Sequence, residues 1–84
     1  MSDEALLLLS FLYDEHKAGK KTLNPKADDM GLSKREVEAA GNELKQCGFL
    51  PDFSSTISRE SCEPICFFGS LSKEAVEFIK QCDE

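Results

Sequence analysis

The sequence predicts an α+β fold with a three-helix core, a β-hairpin and a C-terminal helix, and three stretches carry that prediction. Residues 33–49 have the pattern of one helix with a signal at each end. Residues 52–58 and 64–69 favour strands because they are rich in β-branched and aromatic residues, and a polar segment separates them. Residues 71–82 return to an apolar pattern at helical spacing.

The third helix is the most strongly specified element. Ser33 is expected to cap its first turn, and Glu36 three residues later completes a capping box. Gly48 is expected to end it in the left-handed conformation. One stripe of the helix is apolar and faces a core: Val37, Ala40, Leu44 and Cys47. The opposite side carries Arg35, Glu38, Ala39, Asn42 and Gln46, with Lys34 and Lys45 beside them.

The first helix spans residues 3–17 and has an unusually wide apolar face. Leu7 and Phe11 point well away from its main stripe, so this helix is expected to pack on more than one side. Either the C-terminal helix covers these two side chains or a partner does. Residues 20–23 are expected to form a brief strand or a linker.

A second helix is expected over residues 26–30, with Asn24 as its cap and Pro25 at its first position. Gly31 ends it, and the turn through residues 31–33 leads into the third helix. Two helices joined in this way form a helix-turn-helix. Ser72 is the expected cap of the last helix.

Composition favours one small globular domain over residues 1–84. No apolar run approaches the ~20 residues needed to cross a bilayer, and the acidic start is unlike a secretory signal, so a cytoplasmic location is expected. The net charge of −6 argues against strong nucleic-acid binding. Residues 14–45 are balanced, with seven basic and seven acidic side chains, so any surface for an anion is expected there.

The order helix, short strand, helix, turn, helix, hairpin resembles the winged helix-turn-helix superfamily. The resemblance rests on Gly31-Leu32-Ser33-Lys34-Arg35-Glu36-Val37-Glu38-Ala39-Ala40, followed by Leu44-Lys45-Gln46-Cys47-Gly48-Phe49-Leu50. Residues 71–79 are similar to the extra helix that follows the wing in several small bacterial and phage members. The resemblance implies that the third helix enters the DNA major groove and that the hairpin touches the adjacent backbone.

Carried onto this chain, the resemblance implies two sets of contacts. Base edges would be contacted by Arg35, Glu38, Ala39 and Asn42. Phosphates would be contacted by Lys20, Lys21, Lys26, Lys34 and Lys45. The chain departs from the pattern at the wing, where Arg59 stands beside Glu60 and Glu63 and two carboxylates would repel phosphate.

Two functions therefore stay open at this point. One is DNA binding with transcription regulation, which usually needs a dimer. The other is a protein-interaction or dimerisation module on the same fold that binds no DNA, motivated by the acidity and by Leu7 and Phe11. Catalysis is not expected, because the single His16 lies on an apolar stripe and no Gly-rich phosphate loop exists.

No cofactor, metal or small-molecule substrate is expected either. The cysteines lie at 47, 62, 66 and 82 and include no Cys-x-x-Cys pair. Three of them lie in apolar patterns, which leaves Cys62 as the one expected to be exposed. Gly41, in the middle of the third helix, is expected to allow the close approach of another backbone.

Overall fold

The computed structural model describes residues 2–20 and 23–82 of the chain. These residues form four helices and one antiparallel hairpin, which confirms the predicted α+β class. In chain order they are α1 (Asp3–Lys17), α2 (Ala27–Met30), α3 (Lys34–Gln46), β1 (Ser54–Ile57), β2 (Pro64–Phe67) and α4 (Lys73–Cys82). None of the helices in these ranges has the length and apolar character required to span a bilayer.

Both predicted ends of α3 are confirmed. The Ser33 hydroxyl accepts a hydrogen bond from the Glu36 N–H at 3.1 Å, and the Glu36 carboxylate accepts one from the Ser33 N–H at 3.0 Å. The hydrogen bond from the Ser33 N–H, together with the nearby Ser33 hydroxyl, lowers the pKa of the Glu36 carboxyl group. Gly48 has φ 82°, and the Phe49 N–H donates to the Leu44 carbonyl at 2.9 Å, so the helix closes on itself at its C-terminal end.

The predicted cap and first position of α2 are each two residues too early. The N-cap position belongs to Lys26, whose side chain makes no capping bond, and the helix begins at Ala27. Asn24 lies two residues before the cap position, and its backbone N–H donates to the Glu15 carboxylate of α1 at 2.8 Å. Gly31 does end the helix, with φ 70°. No strand is present at Lys20 or Leu23, and the residues between them lie outside the described part of the chain.

The core lies between α1, the inner edge of α3, the hairpin and α4. Helix α1 packs on both α3 and α4, and α3 also packs on β2. The largest fully buried side chains are Leu8, Leu9, Leu12, Leu44, Leu50 and Phe53. Two tilted aromatic pairs connect the outer elements to this core, Phe53 with Phe68 at 5.7 Å and Phe49 with Phe78 at 5.2 Å between ring centroids.

Helix α4 is anchored at its start. The Ser72 hydroxyl accepts from the Ala75 N–H at 3.2 Å, which confirms the predicted cap. The Ser72 N–H donates to the Phe49 carbonyl at 3.1 Å and so joins the beginning of α4 to the segment that follows α3. Ala75 and Ile79 are buried, and α4 therefore packs its apolar stripe toward α1.

Gly41 is needed for a reason that differs from the predicted one. The group that approaches it is the aromatic ring of Phe53, not another backbone, and a Cβ at residue 41 would overlap that ring. Phe53 is only 1% exposed, so its ring has no solvent space into which it can move. The apolar periodicity of α3 does not show that a side chain from outside the helix lies this close to residue 41.

The Gly41→Ala variant is expected to be less stable than the wild type by up to about 2 kcal/mol. Overpacking against Phe53 costs ~1 to 3 kcal/mol, whereas the better helix propensity of Ala returns ~1 kcal/mol. Urea denaturation measures the difference, and Ala39→Gly on the exposed side of the same helix calibrates the propensity effect alone. A Gly41→Ala protein more stable than the wild type would contradict this packing.

Candidate functional site

The outer stripe of α3 is open to solvent. Arg35, Ala39, Asn42 and Gln46 are all exposed, while Val37, Ala40, Gly41 and Leu44 on the inner edge are buried. Among the described residues no carboxylate forms an ion pair with Arg35. The stripe itself contains no acidic residue, so it presents one guanidinium, two amides and a small methyl group.

Glu38 lies apart from this stripe. Its side chain is half-buried on the side of α3 that faces the hairpin. Burial raises the pKa of the Cys66 thiol on β2, and the nearby Glu38 carboxylate raises it further. The structure thus places Glu38 beside β2, on the flank of the stripe that carries Arg35 and Asn42.

Two of the predicted phosphate-binding lysines are already paired with acids. Lys34 Nζ lies 2.7 Å from Glu63 Oε2 in the hairpin loop, and this contact raises the pKa of Lys34. Lys20 Nζ lies 3.5 Å from Glu15 Oε1. Lys26 and Lys45 are exposed, and Lys21 lies outside the described residues. The Lys34 pair connects the start of α3 to the hairpin loop.

Strand β1 is exposed on both faces, whereas β2 has one face packed on the protein and one face open to solvent. Ser54 pairs with Phe67 and Thr56 with Ile65, so these four side chains share a face. Ile65 is 45% exposed and Phe67 is 56% exposed. The opposite face carries Pro64 and Cys66, which point toward α3, and the buried Phe68 follows them in the same alternation.

The exposure of Ile65 and Phe67 was not predicted from the sequence. Residues 64–68 are apolar at every position, so alternation could not show which of them would face solvent. The signal that could have found them is the pairing with Ser54 and Thr56, because two polar residues on one face of β1 indicate that the same face of β2 is open.

Leu7 and Phe11, the predicted interaction residues, are half-buried and packed against the core. Helix α1 also contacts α4. The large apolar side chain that α1 exposes is Leu6, at 40%. An interaction through Leu7 and Phe11 stays a prediction.

Two expectations about single side chains are wrong. Cys47 is exposed because it is the C-cap residue of α3, where the chain already turns toward Gly48 and leaves the apolar stripe. His16 is also exposed, with its ring 6.4 Å from that of Tyr13. Cys62 is exposed, as expected. Within residues 2–20 and 23–82 no three His, Cys, Asp or Glu side chains are grouped closely enough to hold a metal ion.

A groove of about 340 Å³ lies between the segment before α2, the start of α3 and strand β2. Its walls contain Pro25, Val37, Pro64 and Phe68, and all four residues are buried. Lys26, Asp28 and Lys34 supply charged groups to its lining. The groove is therefore an apolar depression with cations and one carboxylate at its boundary.

Comparison of the chain with protein-family models, with curated proteins and with solved structures found no match.

Proposed function

We propose that the chain is a small winged-helix protein that binds DNA through α3 and acts in transcription regulation. The observation that carries this proposal is the orientation of α3. Its apolar edge is buried, and the stripe through Arg35, Ala39 and Asn42 is exposed and free of acids. The turn through Gly31 precedes α3 and the hairpin follows it, as the proposed fold requires.

The exposed stripe has suitable chemistry for reading bases in the major groove. An Arg side chain binds guanine through two hydrogen bonds, and an Asn binds adenine in the same way. Ala39 lies one turn from Arg35, and its small side chain permits close approach to a thymine methyl group. Glu38, beside β2, is better placed to orient the hairpin than to contact a base.

Phosphate binding is expected to be limited. Arg35, Lys26 and Lys45 are exposed cations without an ion-pair partner among the described residues. Both side chains of the Lys34–Glu63 pair are exposed, so the pair contributes little to stability and a phosphate can displace Glu63 from it. The net charge of −6 repels DNA at longer range. The proposed binding is therefore weak and depends strongly on ionic strength.

Titration with a duplex selected from a random-sequence pool tests the proposal. With about three phosphate contacts, the binding constant is expected to fall roughly 40-fold between ~50 and ~200 mM salt. Arg35→Ala is expected to weaken binding to the selected duplex by roughly 5- to 150-fold, the equivalent of one lost bidentate base contact.

The matched control is Lys80→Ala. Like Arg35→Ala it removes one positive charge, but from an exposed position on a different helix, α4. It is expected to bind like the wild type. The proposal fails if no duplex is enriched and no binding occurs at ~50 mM salt, or if the two variants weaken binding equally.

Protein association is a second candidate, favoured by a separate observation. The open face of the hairpin carries Ser54, Thr56, Ile65 and Phe67, none of which is charged. Each copy carries a net charge of −6. Because this face has no charged side chain, two copies can meet on it without bringing like charges together. A second copy is therefore the partner proposed for it, and a dimer would also double the DNA half-site that one α3 can cover.

A pair of serine variants on the two faces of the hairpin tests this association. Phe67→Ser removes roughly 100 Å² of exposed apolar surface per copy, worth ~2.5 kcal/mol if buried, so it is expected to weaken dimerisation more than tenfold. Ile57→Ser is the control, because Ile57 is 57% exposed but lies on the opposite face. Light scattering over a concentration series measures the dimer fraction.

The wild type is expected to rise above its monomer mass of 9.3 kDa as its concentration increases, and Ile57→Ser is expected to follow it. A wild type that stays monomeric up to ~1 mM, or equal losses in both variants, would reject the hairpin face as a dimer contact.

A further inference from the structure

We infer that the outer edge of strand β1 pairs with the same edge of a second copy of the chain, so that two hairpins join into one four-stranded antiparallel sheet. The backbone groups that carry this contact belong to Ser55 and Ile57. The inference goes beyond the proposed DNA binding and beyond the contact proposed for the open face of the hairpin, because its evidence is the hydrogen-bond pattern of β1.

The hydrogen bonds of the hairpin direct two residues of β1 away from β2. The Ser58 N–H donates at 3.0 Å to the carbonyl of Glu63, which lies opposite it when the register of the two strands is continued. Hydrogen-bonded and non-hydrogen-bonded pairs alternate along an antiparallel ladder, so Ser55 and Ile57 make no bonds to β2. Pro64, opposite Ile57, agrees with this alternation because it has no N–H to donate. The N–H and C=O groups of Ser55 and Ile57 therefore point to the outer edge.

This outer edge is open. All four residues of β1 are exposed, and of the helices and strands that the structure describes, β2 alone makes extensive contact with β1. In the described part of the chain, neither the Ser55 N–H nor the Ile57 N–H donates to a group outside the hairpin. Proteins commonly protect such an edge with a charged residue, a proline or a bulge. Strand β1 contains none of these, so its edge can accept another strand.

The spacing of the outward residues makes the edge complementary to itself. Because Ser55 and Ile57 are two residues apart, a two-fold axis at Thr56 places Ser55 of each copy opposite Ile57 of the other. Each of these pairs can exchange both of its N–H···O bonds, so every outward backbone group of the two strands finds a partner. The axis also brings the two Thr56 side chains together as a favourable cross-strand pair.

Charge and size also favour a second copy as the occupant. Each copy carries a net charge of −6, and β1 has no charged side chain that would bring like charges together at the edge or select a partner of opposite charge. The joined sheet has four strands, which is a usual number, whereas an isolated two-stranded hairpin is marginal. Because each strand is only four residues long, a dissociation constant on the order of 1 mM is expected.

NMR of the full chain at concentrations from ~0.05 to ~2 mM tests the inference. The amide protons of Ser55 and Ile57 are expected to move downfield toward a saturating value as the concentration rises, because they gain hydrogen bonds. In an equal mixture of isotopically labelled and unlabelled chains, an isotope-filtered experiment is expected to show a contact between the Thr56 Hα atoms of the two copies. Association through the open face of the hairpin produces neither result.

Two substitutions at one position isolate the backbone contribution. Ser55→Pro removes the outward N–H and leaves the bonds between β1 and β2 in place, so it is expected to raise the dissociation constant measured at the Ile57 amide by about tenfold or more. Ser55→Ala is the matched control, because it keeps the N–H, and it is expected to associate like the wild type. Phe67→Ser, which alters the open face, is expected to keep the shift of the Ile57 amide.

Three results would each overturn the inference. They are the absence of concentration-dependent shifts at Ser55 and Ile57 up to ~2 mM, equal dissociation constants for Ser55→Pro and Ser55→Ala, and loss of the Ile57 shift in Phe67→Ser. The wild-type titration needs no variant, so it decides the question even where the proline disturbs the hairpin. A failure of DNA binding or of the open-face contact leaves these results unaffected, since neither involves the outward backbone groups of β1.

Discussion

The contact between Gly41 and the Phe53 ring determines how the hairpin meets α3. The missing side chain at residue 41 lets the ring lie directly against the helix, and the ring in turn packs on Phe68, which follows β2 at the same open end of the hairpin. Because Phe53 is fully enclosed, this contact sets the rotation of α3 about its own axis. The open stripe on its far side follows from that rotation.

The hydrogen bonds and ion pairs of several carboxylates are a second constraint. They favour the proposed DNA binding in one respect and oppose it in another. Three acidic side chains on or near α3 have partners: Glu36 caps α3, Glu43 accepts from the Ser2 N–H at 2.9 Å, and Glu63 pairs with Lys34. This removes carboxylates from the outer stripe of α3. It also holds Lys34 at the hairpin, so a DNA phosphate must compete with Glu63 for it.

Local signals in the sequence were sufficient to predict both ends of α3, the end of α2 and the start of α4. The Ser33 capping box, the Gly31 and Gly48 turns and the Ser72 cap each depend on residues within a few positions of one another, and all are present. Contacts between residues that lie far apart in the chain could not be predicted from these local signals. The bond between the Asn24 N–H and the Glu15 carboxylate joins the segment before α2 to another helix, and no local pattern indicates it.

The candidate site likewise combines features that local sequence predicts with contacts between distant residues that it does not predict. The exposure of Arg35 and Asn42 follows from the period of α3, which the sequence displays. The Lys34–Glu63 pair joins residues 29 positions apart, and the groove combines three segments of the chain, so neither could be inferred before the fold was known. The open face of the hairpin was hidden because both faces of β2 are apolar.

The rotation of α3 is the central claim, and two neighbouring alanines test it most directly. Ala40 is 2% exposed and Ala39 is exposed, so their methyl groups differ only in the side of the helix on which they lie. Methyl NMR with a soluble gadolinium chelate measures the approach of solvent to each. Strong relaxation of the Ala39 methyl and protection of the Ala40 methyl are predicted, whereas equal relaxation or the reverse order would contradict the orientation of α3.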